Sequence, residues 1–254
     1  VSRLLSDSLV LFRRSVLHTF RSPEILVGVT VSPIMFVLLF RYVFGGAINV
    51  GGTTYVNFLM AGIFVQTIAF GALTTAISLG YDFEKGIVER FFTLPMSRPS
   101  IIIGRTFADA LRALFTLFVM VVVGVLVGYR PAGSVVDWSA ALGILLVFSF
   151  AISWVGALMA ILVPNVEALQ QLSFIVILPL TFASSAFVEP STMPAGLRAF
   201  ADNQPVTQIV DAVRALTSDR PAGHAILLAL VWCVGILALA VPTVGWAFRR
   251  KGTR

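Results

Sequence analysis

At 254 residues, with 58% hydrophobic and only 12% charged side chains, the chain departs from the roughly 25% charged content of ordinary globular domains, and its mean hydropathy of +0.96 excludes water as its main solvent. The formal charge of +6 does not point to nucleic acid, because the basic residues flank apolar runs instead of forming one soluble patch; such a placement suits anionic membrane lipids. The single cysteine, Cys233, lies inside an apolar run, so no disulfide within this sequence and no cysteine metal cluster are expected.

Residues 1–24 read as an amphipathic interfacial helix and not as a secretory signal. Leu5, Leu9, Phe12 and Val16 recur at helical spacing, while Asp7, Arg14 and Arg21 occupy another face. Ser22-Pro23 breaks this helix. Residues 25–254 then read as a six-helix transmembrane domain of an all-α membrane protein. Each apolar run approaches the ~20 residues that cross a hydrocarbon layer of roughly 30 Å. The predicted spans are Ile25 to Phe44, Tyr55 to Leu79, Ile101 to Gly128, Trp138 to Val163, Leu169 to Val188, and Ala225 to Phe248. Two connections are long enough to carry function: the charged segment 82–98 and the segment 189–223, which contains Pro190, Pro194, Pro205 and Pro221.

Orientation follows from the bias of Lys and Arg. With the leading helix inside, twelve of the eighteen basic residues fall on the cytoplasmic side and four outside, with Arg41 and Arg112 within spans. Both termini are therefore predicted cytoplasmic, in a multi-pass protein of the cell membrane. Trp138 at the outer interface and Trp246 at the inner one agree with that placement.

Several chemistries lack their residues. A Walker A loop needs Gly-Lys before Ser or Thr, yet Lys85 and Lys251, the only lysines, follow Glu84 and Arg250. His18 and His224 precede Thr19 and Ala225, which excludes a His-Glu-x-x-His zinc helix, and there is no Gly-x-Ser-x-Gly elbow. No enzyme activity, metal site or cofactor of its own is expected in this chain.

Within 82–98, Ile87, Val88, Phe91 and Phe92 form an apolar stripe, Asp82, Glu84, Lys85, Glu89 and Arg90 a charged face, and Pro95 a stop. The pattern predicts a short helix on the cytoplasmic membrane surface, with Glu84 and Glu89 having no evident partner in the chain. The run EKGIVERFFTLPMSR resembles the acidic-Lys-Gly, Glu-Arg, Thr-Pro-x-Ser-Arg signature that follows the second span of ABC type-2 permeases, especially those similar to the daunorubicin-resistance exporter. The likeness extends to the basic leading helix, the six-span layout and the outer segment FVEPSTMPAGLRAFADNQPVTQIVDAVRAL. That segment is similar to the family's Pro-rich stretch with Asn-x-Pro, here Asn203, Gln204 and Pro205, followed by an amphipathic piece carrying Arg214. Many relatives have Asn-Pro directly; Gln204-Pro205 suggests the drug and complex-lipid branch.

The resemblance implies an ABC exporter permease that dimerises with a second copy or a related permease. It also implies binding to a cytoplasmic ABC ATPase, which would hold the ATP and Mg, and movement of an amphipathic drug or lipid out of the cell. It further implies ATPase coupling through Glu84, Lys85, Gly86, Glu89 and Arg90. Small polar residues form stripes in the second span, Thr67, Gly71, Thr74 and Ser78, and in the fifth, Gln170, Ser173, Thr181 and Ser184. Such stripes line a substrate path or dimer interface, or simply pack helices. Arg105, Asp109 and Arg112 share one helix face, where Asp109 can pair with either arginine or the helix end can project beyond the hydrocarbon. Two rival readings stay open: a secondary transporter, which would need a paired intramembrane ionisable site, and a non-transporting membrane scaffold.

Overall fold

The computed structural model describes residues 2–45, 54–93, 99–163, 165–218 and 223–251, and among them the regular structure is helical throughout. Helix α1 is Ser2–Arg21, and α2 runs from Pro23 to Leu39 before widening into a π-helical turn at Phe40–Phe44. Pro23 opens α2 because the first helical position needs no amide hydrogen bond, and Pro33 removes one bond from its interior. Then follow α3 (Tyr55–Glu84), α4 (Ile87–Thr93), α5 (Pro99–Leu126), α6 (Val135–Leu162) and α7 (Val166–Phe182). A 3-10 turn at Pro190–Thr192, α8 (Ala195–Asn203), α9 (Pro205–Thr217) and α10 (Ala225–Lys251) complete the order.

Among the described residues four helices are long and apolar enough to cross a membrane: Tyr55–Glu84, Pro99–Leu126, Val135–Leu162 and Ala225–Phe248. Thr30–Val43 and Val166–Phe182 are apolar but shorter. The expected fifth span, Leu169 to Val188, is displaced: the helix starts at Val166 and stops at Phe182. Its end has a local cause. The Ser184 hydroxyl donates to the Thr181 carbonyl at 2.5 Å and accepts from the Ala186 amide at 3.1 Å, the kind of side-chain competition that turns a backbone out of a helix.

Helix α3 lies at the centre, packed most extensively on α6 and also on α5, α7 and α9; α1 lies along α5, and α10 packs on α6 and α9. Close crossings use glycine. A β-carbon at Gly156 of α6 would run into the Ala72 carbonyl of α3, and one at Gly62 of α3 into the Ala186 carbonyl beyond α7. At Gly104 of α5 it would meet the Ser8 carbonyl of α1 at 2.7 Å. Buried apolar side chains gather in two clusters. One, at the α9 end, includes Leu59, Phe64, Tyr129, Phe148, Ile209 and Val213. The other, at the α4 end, joins Leu11, Leu79, Val88, Ile101, Trp154, Leu169 and Phe248 from different helices.

The leading helix matches its expected pattern in part. Leu11 is buried against α5, whereas Leu5, Leu9 and Val10 remain exposed along one side with Arg13 and Arg14 nearby. Between α5 and α6, the Ser134 hydroxyl accepts from the Asp137 amide at 3.2 Å while the Asp137 carboxylate accepts from the Ser134 amide at 3.0 Å. This reciprocal capping box starts α6.

Candidate functional site

The charged segment folds differently from a single surface helix. Asp82, Phe83 and Glu84 form the last turn of α3, and the chain then reverses at Gly86, whose φ of +66° is in the left-handed region that favours glycine. The Gly86 amide donates to the Phe83 carbonyl at 3.0 Å, and the Arg90 amide to the Gly86 carbonyl at 3.2 Å, so α4 begins directly from this corner. Val88 is buried in the cluster at the α4 end, and the Arg14 guanidinium of α1 lies 5.4 Å from the Phe91 ring centre. Glu84, Lys85, Glu89 and Arg90 are exposed. Residues 94–98, including Pro95 and Arg98, lie outside the described residues.

Two of the segment's acidic residues have partners in the chain. The Glu84 carboxylate accepts from the Val166 amide at 3.1 Å, and the Arg105 guanidinium of α5 donates to Asp82 at 2.5 Å. The expectation that Glu84 has no partner in the chain is therefore corrected: it caps the start of α7. Sequence spacing could not reveal this bond, because 82 positions separate the two residues.

Farther along the same pair of helices, Asp109 of α5 is buried and pairs with Arg112 at 2.9 Å, while the Thr75 hydroxyl of α3 donates to it at 2.6 Å. Asp109 lies ten residues into α5, roughly 15 Å from its start at 1.5 Å per residue. A 28-residue helix exceeds a ~30 Å hydrocarbon layer by only about 12 Å. Even with the whole excess at this end the charge would lie near the hydrocarbon edge, and it is neutralised by pairing with Arg112, while Arg105 is drawn to Asp82.

The two small-polar stripes have different surroundings. On α3, Thr67, Gly71 and Ser78 are half-buried and Thr74 is exposed, on the side turned away from the main packing surface. On α7, Ser173, Thr181 and Ser184 are fully buried, and each hydroxyl donates to its own helix or turn, at Leu169, Ile177 and Thr181 respectively. Gln170 is exposed. The stripes therefore do not face one another across a common space within a single chain.

At the opposite end, α8 and α9 meet at Asn203, Gln204 and Pro205. The Asn203 side-chain amide donates to the Ala199 carbonyl at 2.9 Å, closing α8, and Pro205 occupies the first turn of α9. Gln204 is buried and donates to the Ala183 carbonyl at 2.8 Å, fastening this junction to the end of α7. Arg214 of α9 is the hub. Its guanidinium stacks 3.8 Å from the Phe58 ring centre of α3, donates to the Ser185 carbonyl at 2.6 Å and to Asp211 at 3.0 Å.

The Ser185 hydroxyl also donates to Asp211, at 2.7 Å. Asp211 forms part of the wall of a recess of about 410 Å³ that also includes Glu189, Arg198 and Asp202. Although its side chain is 42% exposed, desolvation in the recess pushes its pKa above the usual range, against the Ser185 hydrogen bond and the Arg214 charge. Sequence reading selected Arg214 but not Ser185, Asp211 or Phe58, because nothing local connects the 185 turn to α9.

This hub gives a direct expectation. Charged hydrogen bonds contribute roughly 1.5–3 kcal/mol each and cation–π stacking about 0.5–2 kcal/mol, so Arg214→Ala should destabilise the purified protein by about 3 kcal/mol, read as a lower unfolding temperature in detergent. Arg214→Lys should recover only a minor part, since an ammonium cannot reach two acceptors and stack as the planar fork does.

Among the described residues no group of three or more His, Cys, Asp or Glu could hold a metal ion. Residues 7–217 match the ABC-2 type transporter membrane family. The chain is 32% identical over 229 residues to the daunorubicin resistance ABC transporter permease protein DrrB1 of Streptomyces coeruleorubidus, covering 90% of this chain and 81% of that protein. It is 27% identical over 240 residues to the "Probable doxorubicin resistance ABC transporter permease protein DrrC" of Mycobacterium tuberculosis, covering 89% and 82% of the two chains. With this match and these apolar helices, the chain belongs to the ABC-2 type transporter family as a multi-pass membrane permease subunit.

Proposed function

We propose that the protein is the membrane half of an ABC exporter that moves an amphipathic drug or lipid out of the cell, using ATP and Mg held by a separate cytoplasmic ABC ATPase. The observation that carries this reading is the α3–Gly86–α4 corner. It presents Lys85, Glu89 and Arg90 to solvent while Val88 ties it to the cluster where α1, α5, α6, α7 and α10 converge. A surface displaced there by a partner is mechanically joined to most of the bundle.

In this reading α2 and α7 complete a six-span layout with the four longer helices, and α1 lies in the membrane interface among lipids. Helix α4 is the cytoplasmic coupling helix, α8 and α9 form the extracellular segment, and both ends of the sequence are cytoplasmic. The named resistances of the relatives favour a drug-like cargo, and a dimer with a second copy or a related permease supplies the other wall of the path. A rigid charged corner suits a transporter better than a scaffold, and Asp109, the one buried acidic side chain among the described residues, is already paired with Arg112, which does not favour a secondary transporter.

Topology is tested by single cysteines in a Cys233→Ala background. Ser191→Cys should react with an impermeant maleimide in intact cells and Thr93→Cys only after permeabilisation; the reverse pattern would overturn the orientation. The exposed stripe is tested separately. Thr74→Trp should leave the protomer folded yet reduce dimerisation or transport, whereas Ser184→Trp should lower the yield of folded protein, because Ser184 is fully buried and overpacking costs about 1–3 kcal/mol or more.

A further inference from the structure

Glu84 is exposed like Glu89, but one of its carboxylate oxygens reaches across to the first residue of α7. Val166 is the first helical residue after the Asn165 cap, and its amide is one of the four that a helix start leaves without an internal acceptor. The Asn165 side chain accepts from the Glu167 amide at 2.8 Å, so the two caps divide the work: Asn165 takes one amide from within the loop and Glu84 takes another from α3. The negative charge of a carboxylate also suits the positive end of the helix dipole.

A second contact fixes the same two turns together. Gly80, one helical turn before Glu84, is buried, and a β-carbon there would meet Val166 at 3.0 Å and Leu169 at 3.1 Å. The last turn of α3 and the first of α7 are thus in close packing, with the capping bond across them and α4 leaving from the residue after next.

We infer that Glu84 is a positioning residue that locks the end of α3, from which α4 leaves, to the start of α7, so that displacement of α4 is delivered to α7 as well as to α3. The inference rests on the coupling role proposed for α4 and adds its second output. A motion delivered to α3 alone would tilt one wall of the bundle. Delivered to α7 too, it also moves the apolar face formed by Leu172, Ile175 and Val176, which is exposed in this chain, and so reaches whatever a dimer places against that face.

The test uses the complex with its ABC ATPase in liposomes, in a Cys233→Ala background, with spin labels on cysteines replacing Thr93 (α4), Gln170 (α7) and Ser139 (α6), taken in pairs. Distances are measured without nucleotide and after trapping with ATP, Mg and vanadate. In the wild type the Thr93 and Gln170 labels should both shift relative to Ser139 while keeping their mutual distance. In Glu84→Ala the ATPase should still co-purify and the Thr93 label still shift, but the Gln170 shift should fall by about half or more. Glu84→Gln keeps the acceptor oxygen and should restore it.

If Glu84→Gln fails like Glu84→Ala and both lose the ATPase, Glu84 is a direct docking group and the inference is wrong. If Glu84→Ala retains the full Gln170 shift, the cap does not carry motion. A wild-type Thr93 label that never shifts removes the coupling reading itself, which distinguishes that failure from the other two.

Discussion

Replacing Asp109 with alanine is expected to cost about 3–5 kcal/mol, the usual penalty for leaving a buried charge without its partner. Arg112 is only 14% exposed and its ion pair to Asp109 is 2.9 Å long. The Thr75 hydroxyl would lose a 2.6 Å acceptor as well, though it retains a 3.1 Å bond to the Gly71 carbonyl. Yield of folded protein and the temperature of aggregation in detergent should both fall. Asp109→Asn keeps an acceptor for Thr75 and should lie between the two.

The double variant Asp109→Ala/Arg112→Leu separates charge from shape. With both ions gone, the desolvation cost disappears along with the attraction, and removal of complete buried pairs is often neutral. Recovery of most of the lost stability would show that the pair exists to neutralise itself between α3 and α5. Continued failure of the double variant with normal folding but no transport would instead assign Asp109 to the substrate path.

Reversing the charge at Glu89 is the second change with a large expected effect. Glu89 is exposed and in the first turn of α4, so an effect on local stability should be small, on the scale of about 0–1 kcal/mol for surface pairs. At a protein interface the scale differs. Breaking a desolvated charge pair costs roughly 2–5 kcal/mol, mostly through the group left unpaired, or a factor of about 30 to several thousand in binding. Glu89→Lys should therefore insert and fold normally yet lose co-purification with the ATPase, and Glu89→Ala should show a weaker loss. An ATPase variant with the opposite reversal should restore part of the binding. Glu89 makes the cleaner test, because the Glu84 carboxylate also accepts from the Val166 amide within the chain.

Much of the helical order was legible because apolar length is a local property. The runs beginning near Tyr55, Ile101, Trp138 and Ala225 became helices displaced by only a few residues. A helix over residues 2–21 was legible from its spacing, although Leu11 and not Leu5 or Leu9 is the residue it buries. What escaped was set by contacts between distant segments. Continuing the fifth span to Val188 followed the apolar composition of Leu178 to Val188, whereas Ser184 turned the chain and Gly62 made room for the turn.

The charged segment was read as one helix because its stripe is continuous in sequence; the left-handed Gly86 divides it. The stripes on α3 and α7 looked equivalent from composition, but burial places their hydroxyls in different surroundings. Burial depends on which neighbours a helix acquires, and no spacing rule contains that information. The Asp109 pairing was within reach, since a charge that deep demands a partner and Arg112 lies on the same face.

The most direct test measures ATP hydrolysis by a cytoplasmic ABC ATPase from the same organism, reconstituted in liposomes with and without this chain. The account predicts that the wild-type chain recruits the ATPase to the membrane and changes its hydrolysis rate, that Glu89→Lys abolishes both effects, and that Thr74→Trp preserves recruitment. Hydrolysis and membrane association that are the same with wild-type chain, with Glu89→Lys and with no chain would contradict it.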